Sequence, residues 1–181
     1  MDNGGRAGTN TLLLASEPFT LTVRGAAVAS VSAPQTIGSL TIASNSWMTT
    51  ASSLMIMGNA TIQASGGIVA DGMGYPGGQG SGHGNVFYLS ASGIYVGGGG
   101  GYGGAGARYG IDGGAGYGSI LQPIDRGSGG ANVPPVSAPA GSGGGAVGLT
   151  VNGALLLNGR ISADGNGGMG ERTGGGSGGS V

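Results

Sequence analysis

The chain has 181 residues, of which 48 are Gly, 7% are charged and none is Cys, and its formal net charge is −1. Because binding to nucleic acid needs a basic surface, this composition predicts no nucleic-acid partner. The lack of Cys excludes a disulfide framework and thiolate metal sites. A hydrophobic content of 38% argues against a disordered chain, and no apolar run approaches the length of a membrane span, so we predict no membrane insertion.

Residues 1–18 are predicted to form an extended N-terminal segment. Its apolar run consists of Leu12, Leu13 and Leu14, which predicts a strand-exchange arm that adds to the β-structure of a second copy. The run is too short for a secretory signal, so no signal peptide is visible in the chain.

Residues 19–65 carry short runs in which apolar and polar side chains alternate. Runs of this length, rich in β-branched residues and separated by Gly, Asn or Pro, are typical of β-strands. No apolar stripe of period 3.6 persists for three turns, and Lys and Glu are nearly missing, so we predict no helix. The predicted strands in this region are Phe19–Val23, Val28–Ser32, Ile37–Ile42, Leu54–Met57 and Ala60–Ala64.

Glycine is concentrated in the second part of the chain, where we predict loops at 72–84, 97–118, 127–145 and 165–180. Chains of Gly in a polyproline-II-like conformation pack side by side because no Cβ separates them. We therefore expect these loops to lie flat on a β-structure, joined by backbone hydrogen bonds and held by tyrosines. Flexible Gly/Ser linkers are the alternative.

Two segments of the chain resemble each other. Each contains a strand, a Gly turn, a second strand and the pattern Ile-x-Ala-Asp-Gly-x-Gly, which predicts a repeat architecture whose units stack. Structural turns are expected at Asp71-Gly72 and Asp164-Gly165. The predicted fold is all-β: a right-handed parallel β-helix, or β-solenoid, formed as a single domain by residues 19–181. The corresponding segments are Leu54–Gly74 and Leu149–Gly167.

The order of the Ala-Asp-Gly turns and Gly blocks resembles the glycine-rich β-helix segments of large, adhesin-like bacterial and protist surface proteins. The resemblance covers roughly residues 50–181. It implies an extracellular or cell-surface protein with a structural or adhesive role, and it supplies no catalytic residues. In such segments the final Gly block leads into another strand. The block that ends at Val181 is therefore expected to continue in a longer protein or to be completed by a neighbouring copy.

This sequence contains few residues that could act in catalysis. The single His83 and the absence of Lys and Cys leave most nucleophilic and acid–base schemes without the residues they need. The match to G-x-G-x-x-G at Gly72–Gly77 is expected by chance in a chain this rich in Gly. We predict no enzyme, cofactor or metal; a carbohydrate-active β-helix enzyme is a third alternative, whose acids would come from Asp71, Asp112, Asp125, Asp164 and Glu171.

The leading functional hypothesis is an extracellular structural protein that assembles head to tail into a filament, sheath or fibre. An unprotected β end is a template for another chain, and neither end of the predicted solenoid shows a charged or helical cap. The alternative is an adhesin or receptor-binding module that contacts a glycan or surface. Its contacts would come from loop tyrosines: Tyr88, Tyr95, Tyr102, Tyr109 and Tyr117.

Overall fold

A computed structural model describes residues 1–11, 18–108, 112–134 and 139–181, so Leu12–Leu14 and Tyr109 lie outside the described residues. The described residues contain β-strands and no helix, which confirms the predicted all-β class. In these ranges there is accordingly no helix that could cross a membrane. The strands are β1 (Gly8–Thr11), β2 (Thr20–Val23), β3 (Ala27–Val31), β4 (Gln35–Ile37), β5 (Ser39–Ile42), β6 (Trp47–Thr50), β7 (Ser53–Ile56), β8 (Ala60–Ile62), β9 (Gly67–Val69), β10 (Val86–Leu89), β11 (Ile94–Gly97), β12 (Gly148–Val151), β13 (Leu155–Leu157) and β14 (Arg160–Ser162).

The chain forms two compact units. Unit one contains residues 1–69 and 147–162, and unit two contains residues 70–146 and 163–181.

Unit one is built from three sheets in which all strand pairs are parallel, as predicted. The strand orders are β1-β3-β6-β9-β14, β13-β8-β5-β2 and β12-β7-β4. From β4 onward the chain visits the three-, four- and five-stranded sheets in turn. We call each such set of three consecutive strands a layer: β4–β5–β6, β7–β8–β9 and β12–β13–β14 are layers two, three and four, and β2–β3 belong to layer one.

The core of unit one consists of columns of stacked apolar side chains. In the four-stranded sheet, Val23 pairs with Ile42 and Ile42 pairs with Ile62, and all three side chains are fully buried. Along β2, β5 and β8, buried residues alternate with residues that are more exposed. The alternation read from the sequence therefore follows from period-2 strands that each bury one face.

Layer four contains the second segment of the predicted repeat, and layer three contains the first. Leu149 pairs with Leu54 and Ile161 pairs with Ile68, so the two segments that correspond in sequence are hydrogen-bonded neighbours in register. The chain enters layer four only after the long segment 70–146, which belongs to unit two. Stacking of the repeated units is thus confirmed across an insertion of that length.

One glycine in unit one makes room for an aromatic ring. Gly67 of β9 lies between Trp47 of β6 and Arg160 of β14, with which it pairs in register. A Cβ on Gly67 would lie 2.8 Å from the Trp47 ring. Because that side chain is missing, the Arg160 guanidinium carbon lies 5.2 Å from the ring centroid, within cation–π range.

Unit two contains one antiparallel hairpin, β10–β11, and segments that form no regular strand. The segments 127–131, 141–144 and 174–177 are joined in a closed cycle of backbone hydrogen bonds. Gly127 N donates to Gly144 O, Gly144 N to Ser177 O, and Ser177 N to Ser128 O, at 2.8, 2.8 and 2.9 Å. The glycine blocks are therefore held by backbone bonds, as expected from the sequence.

The same cycle recurs three residues along each segment. Gly130 N donates to Gly141 O, Gly141 N to Gly174 O, and Gly174 N to Ala131 O, at 2.9, 2.9 and 3.1 Å. Side chains at the glycine positions would block this approach: a Cβ on Gly141 would overlap the carbonyl oxygen of Asn166. The core of unit two is thus made largely of backbone.

Candidate functional site

The most distinctive surface of unit one is the open side of layer four, which we call the open edge. Leu155 and Leu157 of β13 pair with Ala60 and Ile62, which are fully buried. The leucines occupy the same inward columns, yet they are 46% and 44% exposed. β12, β13 and β14 are also the last strands of their sheets among the described residues, so each has one edge without a strand partner there.

The opposite side of unit one differs from the open edge. Leu21 and Val23, which begin the same two columns in β2, are buried. Met1 lies at the outer edge of β2: its amino group donates to Thr22 O at 2.7 Å, and its carbonyl accepts from Arg24 N at 3.0 Å. An ion pair of 2.8 Å between Arg24 and Asp2 lies beside these bonds. This side is therefore partly closed by the N-terminal residues.

Two of the predicted tyrosines form an exposed pair in unit two. Tyr88 and Tyr95 pair across the β10–β11 hairpin, with ring centroids 4.8 Å apart and ring planes inclined by 44°. Their exposed fractions are 49% and 38%. The intervening turn, residues 90–93, is exposed as well and closes through a bond from Gly93 N to Leu89 O.

Two other tyrosines pin loops instead. The rings of Tyr102 and Tyr117 meet edge to face with centroids 5.2 Å apart. The Tyr117 hydroxyl donates to Arg126 O and accepts from Ser128 Oγ at 2.9 Å. Burial raises the pKa of Tyr117 above its ordinary value, although the Ser128 hydrogen bond opposes the shift. The Tyr102 hydroxyl is buried without a hydrogen-bond partner among the described residues.

The predicted turn residues lie next to one another in unit two. Gly72 N donates to Asp164 O, and Asp164 N donates to the carboxylate of Asp71, both at 2.8 Å. Gly72 has a φ of +67°, the left-handed conformation for which glycine was expected. At Gly165 the reason for glycine is close approach, since a Cβ would overlap the carbonyl oxygens of Gly176 and Ser177.

The other acidic residues considered from the sequence lie in different settings. Asp112 forms an exposed ion pair with Arg108 at 3.3 Å, and Glu171 lies 3.9 Å from Arg172. The backbone carbonyl of Asp125 accepts from Ser180 Oγ. No three His, Cys, Asp or Glu side chains come together as a metal site within the described ranges. His83 Nδ1 lies 3.0 Å from Gly80 O in an exposed turn.

Sequence reasoning missed an exposed apolar loop in unit two. Ile120, Leu121 and Ile124 are almost fully exposed. The loop is closed at its base because Tyr117 donates to Arg126 O, and Ser119 Oγ accepts from the amides of Leu121 and Gln122. The loop corresponds to the sequence Ile-Leu-Gln-Pro-Ile between two glycine blocks. A short apolar run of this kind is compatible with a buried strand as well as with an exposed loop, so the sequence did not identify it.

Comparisons with protein-family models, with curated proteins and with solved structures find no match for this chain. Function is therefore inferred from the geometry of the open edge and of the tyrosine pairs.

Proposed function

We propose that this chain is an extracellular structural protein whose copies assemble head to tail through the open edge. The observation that carries the proposal is the difference within single columns of unit one: Ala60 and Ile62 are fully buried, whereas Leu155 and Leu157, stacked on them, are about half exposed. A further parallel strand over β13 would bury these leucines as β13 buries its neighbours.

The proposal includes a closed fold for unit one. The three sheets are visited in the same order in layers two, three and four, and parallel crossover connections are nearly always right-handed. We therefore propose a right-handed β-solenoid in which each layer is one coil. The three-residue spacing of the backbone bonds in unit two is that of polyproline II, which we propose for its glycine segments.

The energetics favour occupation of the open edge. Complete burial of a Leu side chain is worth about 1.5–3 kcal/mol, so two half-exposed leucines contribute about that much together when covered. The position of β12, β13 and β14 at the ends of their sheets adds direction, because the backbone of an edge strand is a template for another strand. A contact between unlike ends of identical chains repeats without closing and produces a filament.

The occupant that we propose is the first layer of a second copy. Its N-terminal run Leu12, Leu13 and Leu14 would supply the apolar strand as a strand-exchange arm. The low charge of the chain, 7%, leaves little electrostatic repulsion between copies. A surface-exposed, extracellular setting is part of this proposal and follows from the resemblance to glycine-rich surface proteins.

The test replaces both open-edge leucines with acids, Leu155→Glu and Leu157→Glu. These side chains are half exposed, so we expect the fold to survive while the edge no longer accepts an uncharged strand. Wild-type protein should form filaments visible by electron microscopy and large species in sedimentation velocity, and the double variant should remain monomeric.

A matched control removes apolar surface from the exposed loop of unit two, in a triple variant that combines Ile120→Ser, Leu121→Ser and Ile124→Ser. This variant should assemble like the wild type if the open edge is responsible. The proposal is wrong if concentrated wild-type protein is a monodisperse monomer, or if the loop variant blocks assembly and the edge variant does not.

A further inference from the structure

We propose that the exposed tyrosine pair of the β10–β11 hairpin, Tyr88 and Tyr95, binds neutral saccharides. The hairpin belongs to unit two and the open edge to unit one, so different residues carry this proposal and the proposed assembly.

The two rings form a preorganised apolar surface. The centroid separation of 4.8 Å and the inclination of 44° describe two tilted rings in mutual contact, whose positions are fixed by the cross-strand pairing of the two residues. A tyrosine offers a large rigid contact area at a small cost in conformational entropy, and its hydroxyl donates or accepts hydrogen bonds. Val86, also exposed, lies two residues from Tyr88 and extends the same face.

The hairpin carries no charge. Residues 84–107, which include both strands and their turn, contain no Asp, Glu, Lys, Arg or His. The turn that joins the two strands carries two exposed serines, Ser90 and Ser92, and Ser92 Oγ donates to Leu89 O at 3.5 Å. Exposed aromatic rings on an uncharged hairpin with neutral hydroxyl groups complement a ligand with an apolar face and a hydroxyl rim, which is the chemistry of a neutral pyranose.

A charged ligand is less well matched to this face. Arg172 is a basic residue that contacts the hairpin, since its carbonyl accepts from Gly97 N at 2.7 Å. Its side chain lines a groove of about 350 Å³ with Ile94 and Val96. These residues alternate with Tyr95 along β11, so the groove lies on the other face of the strand. Arg172 therefore lies on the face opposite the tyrosine rings, where it does not supply a cation for an acidic saccharide bound to them.

The experiment measures binding of the full chain to cellohexaose, as a neutral oligosaccharide, and to oligogalacturonate, as an acidic one, by isothermal titration calorimetry. We expect the wild type to bind the neutral oligosaccharide, and Tyr88→Ala and Tyr95→Ala each to weaken that binding by about tenfold or more. Tyr75→Ala, which removes an exposed tyrosine outside the hairpin, should leave binding unchanged.

Two further variants separate stacking from unfolding of the hairpin. Tyr95→Phe keeps the ring and should retain most of the affinity, whereas Tyr88→Trp enlarges the ring and should preserve or strengthen binding. Binding to oligogalacturonate alone would overturn the proposal. So would a lack of affinity for cellohexaose and for every neutral glycan on an array, or equal affinity in the Ala variants. The edge variant Leu155→Glu/Leu157→Glu should bind as the wild type does, so failure of assembly and failure of saccharide binding are distinguishable.

Discussion

The two units form their interiors from different parts of the chain, side chains in unit one and backbone in unit two. In unit one the interior is filled by side chains such as Ile42, Met48 and Ile62, which are fully buried. In unit two many of the most buried positions are glycines, including Gly114 and Gly143, and the segments are joined by their amides and carbonyls. Stability therefore depends on side chains that fill the interior in unit one. In unit two it depends on the absence of side chains between closely packed backbone segments.

This difference predicts opposite sensitivities to substitution, and the sequence provides separate reporters for them. The single tryptophan, Trp47, lies in unit one, whereas the tyrosines of the described ranges, Tyr75, Tyr88, Tyr95, Tyr102 and Tyr117, lie in unit two. Tryptophan fluorescence and the near-ultraviolet circular dichroism of tyrosine therefore follow the two interiors separately.

The largest expected effect comes from adding one methyl group to unit two. Gly114 is buried, its φ is outside the left-handed region, and a Cβ there would overlap the carbonyl oxygen of Gly82. That oxygen also accepts from Gly101 N at 2.7 Å. Because backbone atoms have little room to move, Gly114→Ala should destabilise unit two by more than about 3 kcal/mol, at or beyond the upper range of overpacking. The measurement is loss of the tyrosine signal and of amide-exchange protection in residues 97–131.

The control for this prediction is Gly167→Ala in the same unit. Gly167 is exposed, has a φ outside the left-handed region and has no atom within 4 Å of a built Cβ. The substitution should be neutral or stabilise by up to about 1 kcal/mol, since it restricts the unfolded chain. Equal protection in the Gly114 and Gly167 variants would show that the glycine interior is not close-packed.

The next effect is the reverse operation in unit one, removal of side-chain volume. Ile62 is fully buried in the column between Ile42 and Leu157. Ile62→Ala should lower the free energy of unfolding by about 2–5 kcal/mol because it leaves a cavity. Denaturant unfolding followed by Trp47 fluorescence measures the change.

Met55 provides the matched control in unit one because its side chain is exposed on the outward face of β7. Met55→Ala should change the free energy of unfolding by less than about 0.5 kcal/mol. If both variants lose the same stability, the inward columns do not dominate the energetics of unit one.

The sequence predicted these two interiors unequally, for a physical reason. In unit one each strand alternates, as in Leu21 and Val23, so the pattern of side chains identifies the strands and the faces they bury. The match of Leu149 to Leu54 even predicted which layers stack. In unit two the composition predicted backbone bonding, but glycines are interchangeable in sequence, so the partners of each amide were not predictable.

The candidate sites follow the same division. The pairing of Tyr88 with Tyr95 depends on the register of a hairpin, and the sequence treated these residues together with Tyr102 and Tyr117, which pin loops. The sequence predicted unprotected β ends but not the residues of the open edge, because Leu155 and Leu157 belong to an apolar run that resembles any buried strand. Their exposure follows only from the sheet order. The strand-exchange role of Leu12–Leu14 and the contact role of Tyr109 remain predictions.

The smallest expected effect is a pH dependence confined to unit two. Because burial raises the pKa of Tyr117, the folded state favours the neutral phenol. Its contribution to stability is therefore fully present below the ordinary tyrosine pKa of about 10 and is lost as the pH rises through the higher pKa of the folded state. Thermal unfolding of unit two, followed by the tyrosine signal from about pH 8 to pH 11, should show this loss.

Tyr117→Phe distinguishes this ionisation from a general effect of alkali. It removes the bonds to Arg126 O and Ser128 Oγ, so the variant should be less stable than the wild type near pH 8 by about 1 kcal/mol. Above about pH 10 its stability should fall less steeply, because it has no phenol to ionise at that position. Tyr75→Phe, which removes an exposed phenol, should follow the wild type. If the pH profiles of the wild type and Tyr117→Phe are parallel, ionisation of Tyr117 does not change the stability of unit two. The stability of that unit would then depend on the glycine segments and not on the hydrogen bond from Tyr117 to Arg126 O.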